Sequence, residues 1–165
     1  MLEDVLVHGL SLVICGMAAG PVSAARGEYY AGRGNKFWRI LHEVGLTPRQ
    51  LAPAEFRLLP TWGIGLTDIM KVQSGRDAAL DLRLADREGL HRKIEEHAPA
   101  LVAFNGRAAA KVFFGTSGVH LGLQPGRIGA TRLYVAPSTS GAASGYWNPD
   151  FWRELARLVR DDRGN

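Results

Sequence analysis

An apolar run from Leu10 to Cys15, broken only by Ser11, stops at the small-residue stretch Gly16-Met17-Ala18-Ala19-Gly20-Pro21. A short apolar run bounded by glycine and proline reads as a buried strand feeding a loop. Tyr29-Tyr30-Ala31 and then Asn35-Lys36-Phe37-Trp38 follow, so the order is strand, glycine loop, tyrosine pair, helix. In an open parallel sheet, ligands bind beyond the carboxyl ends of the strands. A loop of small residues lets a ligand approach the backbone closely. An aromatic ring beside it offers a flat face on which a base can stack.

The remaining chain repeats this alternation. Ser11 to Cys15, Trp62 to Leu66, Leu101 to Phe104 and Leu133 to Ala136 read as strands. Asn35 to Val44 reads as a helix closed by Gly45, and Arg107 to Phe114 as an alanine-rich helix closed by Gly115. Thr47-Pro48 suits a helix start running toward Leu59. Ala85 to His97 has helical spacing and ends before Pro99. Asn148-Pro149-Asp150 opens a last helix with Phe151, Leu155 and Leu158 on one face, and the polar tail Arg160 to Asn165 is expected to fray. Strands separated by helices imply parallel crossovers. The expected fold is an α/β protein, a three-layer α/β/α sandwich with a central, mostly parallel four-stranded sheet, in a single domain spanning 1–165. No repeat, linker or low-complexity segment interrupts it.

With 46% apolar and 22% charged residues, the chain has the balance of a folded domain. No apolar run reaches membrane-spanning length. Val22-Ser23-Ala24-Ala25 faintly resembles a signal cleavage site, but Glu3 and Asp4 stand where a leader needs positive charge. The single cysteine, Cys15, has no internal partner and reads as a small core hydrophobe, in keeping with a reducing cytoplasmic, nucleoid-associated setting. The net charge of +4 is unevenly spread. Leu101 to Pro149 carries no Asp or Glu but holds Arg107, Lys111, Arg127 and Arg132, while Tyr29 to His42 is charged only by Arg33, Lys36 and Arg39. Acids gather elsewhere, as in Asp77 to Glu96. A surface built from the first two segments would suit a phosphate backbone, although any one of these arginines also reads as simply solvated.

Several chemistries lack their motifs. The five histidines, His8, His42, His91, His97 and His120, are scattered without zinc spacing. No phosphate-binding loop ends in Gly-Lys-Ser/Thr, and no full dinucleotide fingerprint is present. Neither a metal nor a cofactor is expected. Two strand-end loops remain: Gly16 to Asn35, and Ala136-Pro137-Ser138-Thr139-Ser140-Gly141-Ala142-Ala143-Ser144. Both should lie on one sheet edge, joined there by Phe104-Asn105-Gly106-Arg107.

These loops resemble motifs one and two of the uracil-DNA glycosylase superfamily. They are most similar to the mismatch-specific uracil/thymine-DNA glycosylases and the related hypoxanthine-DNA glycosylases. Gly16-Met17-Ala18-Ala19-Gly20 resembles the Gly-Ile-Asn-Pro-Gly loop. Tyr29-Tyr30-Ala31 with Asn35-Lys36-Phe37-Trp38 is similar to the Tyr-Tyr-Ala-His-Pro-x-Asn-x-Phe-Trp stretch, and Pro137-Ser138-Thr139-Ser140 to the second motif. The resemblance runs from Leu10 to about Trp152. Where mismatch-specific members carry a water-positioning asparagine, this chain has Ala18, which can neither hydrogen-bond through its side chain nor act as a base.

The resemblance implies roles for particular residues. Asn35 becomes the first candidate to position the water, with a helix cap as its alternative reading. Asp68 is the second on its own chemistry, a carboxylate after a short strand in Gly65-Leu66-Thr67-Asp68 that could orient a water, with a capping or turn aspartate as its alternative. Gly16, Met17, Ala18, Tyr30, Asn105 and Ser138 would bind the substrate base: Tyr30 by stacking, Met17 through its backbone amide, Asn105 through its side-chain amide unless it caps a helix. Ser23, Lys36, Arg107, Ser140, Gly141, Ala142, Ala143 and Ser144 would meet DNA, although the serines also suit plain turns. Relatives insert a bulky wedge where this chain has Ala142 and Ala143. Tyr146 or Trp147 could replace it, unless both are core.

The function implied is excision of uracil, with hypoxanthine and xanthine as further candidate bases, from single- or double-stranded DNA, leaving an abasic site. The enzyme would be a monomer without a membrane partner. Lys36 is the one lysine in these loops and reads as a phosphate contact, so lyase chemistry through a Schiff base is not expected. Two alternatives stand: a non-catalytic binder of uracil-containing or single-stranded DNA, suggested by Ala18, and a small-molecule α/β enzyme, suggested by the bare fold class.

Overall fold

Leu12, Ile14, Leu101, Ala103, Tyr134 and Ala136 pack into one buried cluster, while their neighbours Val13, Cys15, Val102, Phe104, Leu133 and Val135 pack into another. Successive strand residues point to opposite faces, so a strand that is apolar throughout needs cover on both sides. The computed structural model, which describes residues 2–71, 81 and 85–164, supplies that cover as two helical layers.

The strands are β1 (Leu12–Gly16), β2 (Ile64–Asp68), β3 (Leu101–Asn105), β4 (Gly122–Ile128) and β5 (Thr131–Ala136). They form one sheet in the order β2-β1-β3-β5-β4, parallel except for β4, which runs antiparallel to β5. The sandwich is as expected, but the sheet has five strands, not four. β4 escapes sequence reading because it is an edge strand: it contains Pro125, its register shifts between Leu123 and Arg127, and Leu123 is exposed. β2 lies further along the chain than Trp62 to Leu66. Trp62 ends a 3-10 helix, Pro53–Trp62, which Gly63 closes at φ +75, and the strand then carries Thr67 and Asp68 to its carboxyl end.

The helices are α1 (Pro21–Arg26), α2 (Phe37–Glu43), α3 (Arg87–His97), α4 (Arg107–Phe114) and α5 (Pro149–Arg163). α1 is too short for a periodic signal. Thr47 caps nothing; its hydroxyl donates to the Arg49 carbonyl, and the helical segment begins only at Pro53. α5 continues through the tail expected to fray. Arg160 donates to the Val44 carbonyl, Arg163 reaches Ser11 and the Trp62 carbonyl, and Arg132 pairs with Asp162 at 3.2 Å. Of the acid-rich Asp77–Glu96 stretch, residues 77–80 and 82–84 lie outside the described residues. No described helix is long and apolar enough to cross a membrane.

Candidate active site

Parallel register sets the site. Gly16 pairs with Asp68 across β1 and β2, and Asn105 pairs with Ala136 across β3 and β5, so all four strand ends meet on one edge. Gly16 is required there by space. A Cβ on it would lie 2.6 Å from Asp68 Oδ1 and 3.0 Å from the Tyr30 hydroxyl.

Asp68 is 6% exposed, and burial pushes its pKa up to about 6. Lys71 and Lys93 oppose that rise and Asp4 adds to it. Both lysines are committed to Asp4, at 2.7 Å from Lys71 and 2.6 Å from Lys93, and the Thr67 hydroxyl donates to the same carboxylate. Burial raises the Asp4 pKa, but these hydrogen bonds outweigh it and leave the group below the usual carboxylate range. Two carboxylates on neighbouring segments are thus driven apart, one held ionised and the other poised near neutrality. Lys71 also donates to the Leu2 carbonyl and to Tyr29, so the residues before β1 are strapped against β2.

Tyr30 has a left-handed backbone, φ +53, which a bulky residue adopts only when its surroundings hold it there. Its ring stacks on Phe37 with centroids 3.9 Å apart, and the neighbouring Ala31 amide donates to Ser23 Oγ. Tyr29 supplies the packing, 1% exposed and donating to the Glu3 carbonyl. The Tyr30 hydroxyl is buried and has no hydrogen-bond partner among the described residues. Burial, and then the charge of Asp68, raises its pKa well above the ordinary value, while the nearby Asn105 amide opposes this only in part.

Asn105 is committed elsewhere. Its amide nitrogen donates to Thr139 Oγ1 at 2.9 Å and its oxygen accepts from the Thr139 amide at 3.0 Å. The residue therefore clamps the second loop instead of standing free to read a base. The first loop grips the same point, because the Lys36 amide donates to the Thr139 carbonyl and Gly34 lies against Gly141. Asn35 Oδ1 accepts from the Phe37 amide, the capping alternative, although the helix cap proper is Lys36. Met17 is buried and its carbonyl accepts from Met70, while Ala18 is half-buried beside it.

The residues expected at DNA separate into two groups. Lys36 Nζ donates to Ser144 Oγ at 2.8 Å and sits 5.5 Å from the centre of the Trp147 ring, and Arg107 is exposed at the start of α4. Gly141, Ala142, Ala143 and Ser144 lie in a largely exposed 3-10 segment, Gly141–Tyr146, which half-buried Ser140 caps and which ends with Tyr146 83% exposed. Its serines build turns: Ser140 accepts from Ala142, and Ser144 donates to the Gly141 carbonyl. Ser138 accepts from Ser140. Ser23 is a correction. It is 5% exposed, and its hydroxyl is spent on Ala31, so it braces the first loop and is withdrawn from any DNA surface. The positive footprint is smaller than the sequence suggests. Arg127 and Arg132 pair across the β4–β5 hairpin at the opposite end of the sheet, where Arg132 is neutralised by Asp162.

Sequence reasoning missed Thr139 and the Asp4–Lys71–Lys93 cluster. Thr139 stood in the second motif between two serines, and its complete burial is what sets it apart. Among the described residues, no three of His, Cys, Asp and Glu gather to hold a metal ion. Cys15 is fully buried, and burial pushes its thiol pKa up, as suits a core residue.

The glycine and serine loops thus meet at the carboxyl edge of the parallel strands, which also carries the buried Asp68, and open α/β sheets bind their ligands at that edge. The uracil DNA glycosylase superfamily model matches residues 5–159, and the chain belongs to that family. Membership makes it a DNA glycosylase by family, with DNA as its substrate class. A solution NMR structure of a candidate uracil DNA glycosylase from Methanosarcina acetivorans shares the fold, with a TM-score of 0.63 and 23% identity over 96% of each chain.

Proposed function

We propose that the protein hydrolyses the N-glycosidic bond of uracil in DNA, leaving an abasic site, and that Asp68 orients and deprotonates the attacking water. One observation carries this reading. A buried carboxylate with a pKa of about 6 stands at a strand end beside Gly16 and Tyr30. A general base works best when its pKa lies near the operating pH. Asp68 thereby supplies the polar group that Ala18 cannot. Asn35 is the weaker choice, because its oxygen is spent on the Phe37 amide.

In this reading the damaged base leaves the stack, which costs least where pairing is already weak. It stacks on Tyr30, whose ring is backed by Phe37 yet half-buried, so ring surface is left for a base. Fixed backbone donors near Met17 stabilise the departing base anion. Tyr146 fills the vacated space, since Ala142 and Ala143 are small and Trp147 is partly buried against the core. Lys36 and Arg107 meet phosphates. Lys36 is bonded to Ser144 and Lys71 to Asp4, so neither serves as a Schiff-base nucleophile, and the enzyme is monofunctional.

The test is cleavage of a labelled oligonucleotide carrying one uracil, single-stranded or opposite guanine, followed by alkali. Alkali-dependent breakage at the uracil is expected, and hypoxanthine and xanthine in its place define the base range. Ala18 favours a second reading, a binder without turnover. Retention of uracil DNA in a gel shift with no breakage would establish that reading instead.

A further inference from the structure

We infer that Lys71, anchored by Asp4, is a positioning residue for the reaction: it places a fixed positive charge at the end of β2 and so keeps Asp68 in the ionised form that accepts a proton from water. This rests on the excision reading above, with Asp68 as the base, and it extends the active site to Asp4, one residue before the span that the family model matches.

Lys71 is placed by the chain that leads away from the base. Asp68 ends β2, and the two residues after it keep to the first loop: the Ile69 amide donates to the Gly16 carbonyl at 3.0 Å and the Met70 amide to the Met17 carbonyl at 2.8 Å. Both side chains are buried, and Lys71 follows at once. A lysine ammonium has three donors, and here each meets an acceptor: Asp4 Oδ1 at 2.7 Å, the Tyr29 hydroxyl at 3.0 Å and the Leu2 carbonyl at 3.1 Å. With every donor engaged, the charge is held in one place. The anchor is built as firmly. Asp4 Oδ1 also accepts from the Thr67 hydroxyl at 2.7 Å, and Oδ2 meets Lys93 Nζ at 2.6 Å. Thr67 is the neighbour of Asp68 on β2, and the backbone beside it is paired, since Val5 and Leu66 exchange amide-to-carbonyl bonds of 2.8 and 2.9 Å.

Stability alone is a poor reason for this arrangement. Desolvating two lysines and an aspartate offsets most of their attraction, and an apolar group of the same volume often serves a fold as well. What the cluster does supply is charge: two cations and one anion leave one net positive charge at the carboxyl end of β2. Burial drives Asp68 toward its protonated form. Among the influences that oppose this, the charge of Lys71 is the largest and Lys93 comes after it, while Asp4 acts the other way. The other titratable groups that bear on Asp68 among the described residues are Tyr29 and Tyr30 on the first loop and Cys15 on β1. Burial holds their protons, so they add no charge. Without Lys71 the Asp68 carboxyl would keep its proton to higher pH, and less of the protein would be ready to act as a base at neutrality.

The measurement is the pH profile of single-turnover uracil release by the wild type and three variants. Lys71→Met removes the charge and nearly keeps the length of the side chain, and the midpoint of the acid limb should rise by about one pH unit. Asp4→Asn removes the neighbouring anion, leaves an oxygen for Lys71, and should move the midpoint the other way. Lys71→Arg keeps the charge and should restore the wild-type midpoint. Shifts of opposite sign from two residues of one cluster are not what loosened packing gives, because packing lowers the plateau and the melting temperature in both alike. Midpoints that stay at the wild-type value in Lys71→Met and Asp4→Asn, or that move the same way in both, overturn the inference and leave the excision reading intact. Where a melting curve shows that Lys71→Met does not fold, the direction of the Asp4→Asn shift decides. A wild type that releases uracil with no acid limb removes Asp68 as the base, and the inference with it. One that releases no uracil overturns the excision reading itself.

Discussion

The corner formed by Gly16, Asp68 and Tyr30 and the loop from Pro137 to Trp147 share one sheet edge but are held by different forces. The corner is built on buried strand ends in fixed register, with a carboxylate whose pKa burial has moved and an ion cluster behind it. The loop is largely exposed, shaped by its own serine turns, and tied to the rest through Thr139 and the Lys36–Ser144 bond. The first arrangement is held by strand register and burial; the second is held by local turns at the surface. The difference implies a division of labour, in which the corner sets the rate of bond breakage and the loop sets which DNA reaches it.

Changes in each region should therefore separate rate from engagement. Asp68→Asn is expected to lower single-turnover release by about 10²- to 10⁴-fold with gel-shift retention of DNA unchanged, and Asn35→Ala by much less. Equal losses for the two would divide the handling of the water between Asp68 and Asn35. The same Asp68→Asn protein should melt no lower than wild type at pH 8. Folding raises this pKa from 3.8 to about 6, so ionised Asp68 costs stability above pH 6, a cost absent below the unfolded value. Asn105→Ala should blur the division. It strips two hydrogen bonds from buried Thr139, costing about 1–3 kcal/mol, visible as a lower melting temperature together with weaker excision from duplex. Tyr146→Ala should cut excision from duplex about tenfold, the scale of losing a few kcal/mol of stacking at most, and leave single-stranded substrate nearly unaffected; a matched loss on both would remove the wedge role. Lys36→Ala should do least, lowering the slope of log affinity against log salt by about one.

How much of this was legible depended on where each residue stood. β1, β3 and β5 announced themselves because strands buried on both faces are apolar nearly throughout. β4 did not, since an edge strand with Pro125 and exposed Leu123 carries neither an apolar run nor clean alternation. The β2 boundary slipped because Trp62 has strand propensity but closes a 3-10 helix at Gly63. In the site, Gly16 and Tyr30 could be named from motif position and Asp68 from its place after a short strand, whereas their convergence depends on the register that sets Gly16 against Asp68, which no local pattern encodes. The pairing of Asn105 with Thr139 and the gathering of Asp4, Lys71 and Lys93 join distant segments and were beyond reach for the same reason. Ser23 misled because a small polar residue in a glycine loop looks the same whether it faces solvent or braces the chain within.

The most direct test of the central claim is the pH profile of single-turnover uracil release by the wild-type protein. Lys71 following β2, Asp4 before β1, Lys93 on α3, and Tyr29, Tyr30 and Cys15 around β1 are the charged and titratable groups that bear on Asp68. Asp4 is held below the usual carboxylate range and burial holds the protons on Tyr29, Tyr30 and Cys15, so Asp68, raised to about 6, is the member of this group expected to titrate near neutrality. The expected profile is flat above pH 6 and falls about tenfold per pH unit below it, as loss of a single base requires. Release that continues unchanged through pH 5, or no release at any pH, would contradict it.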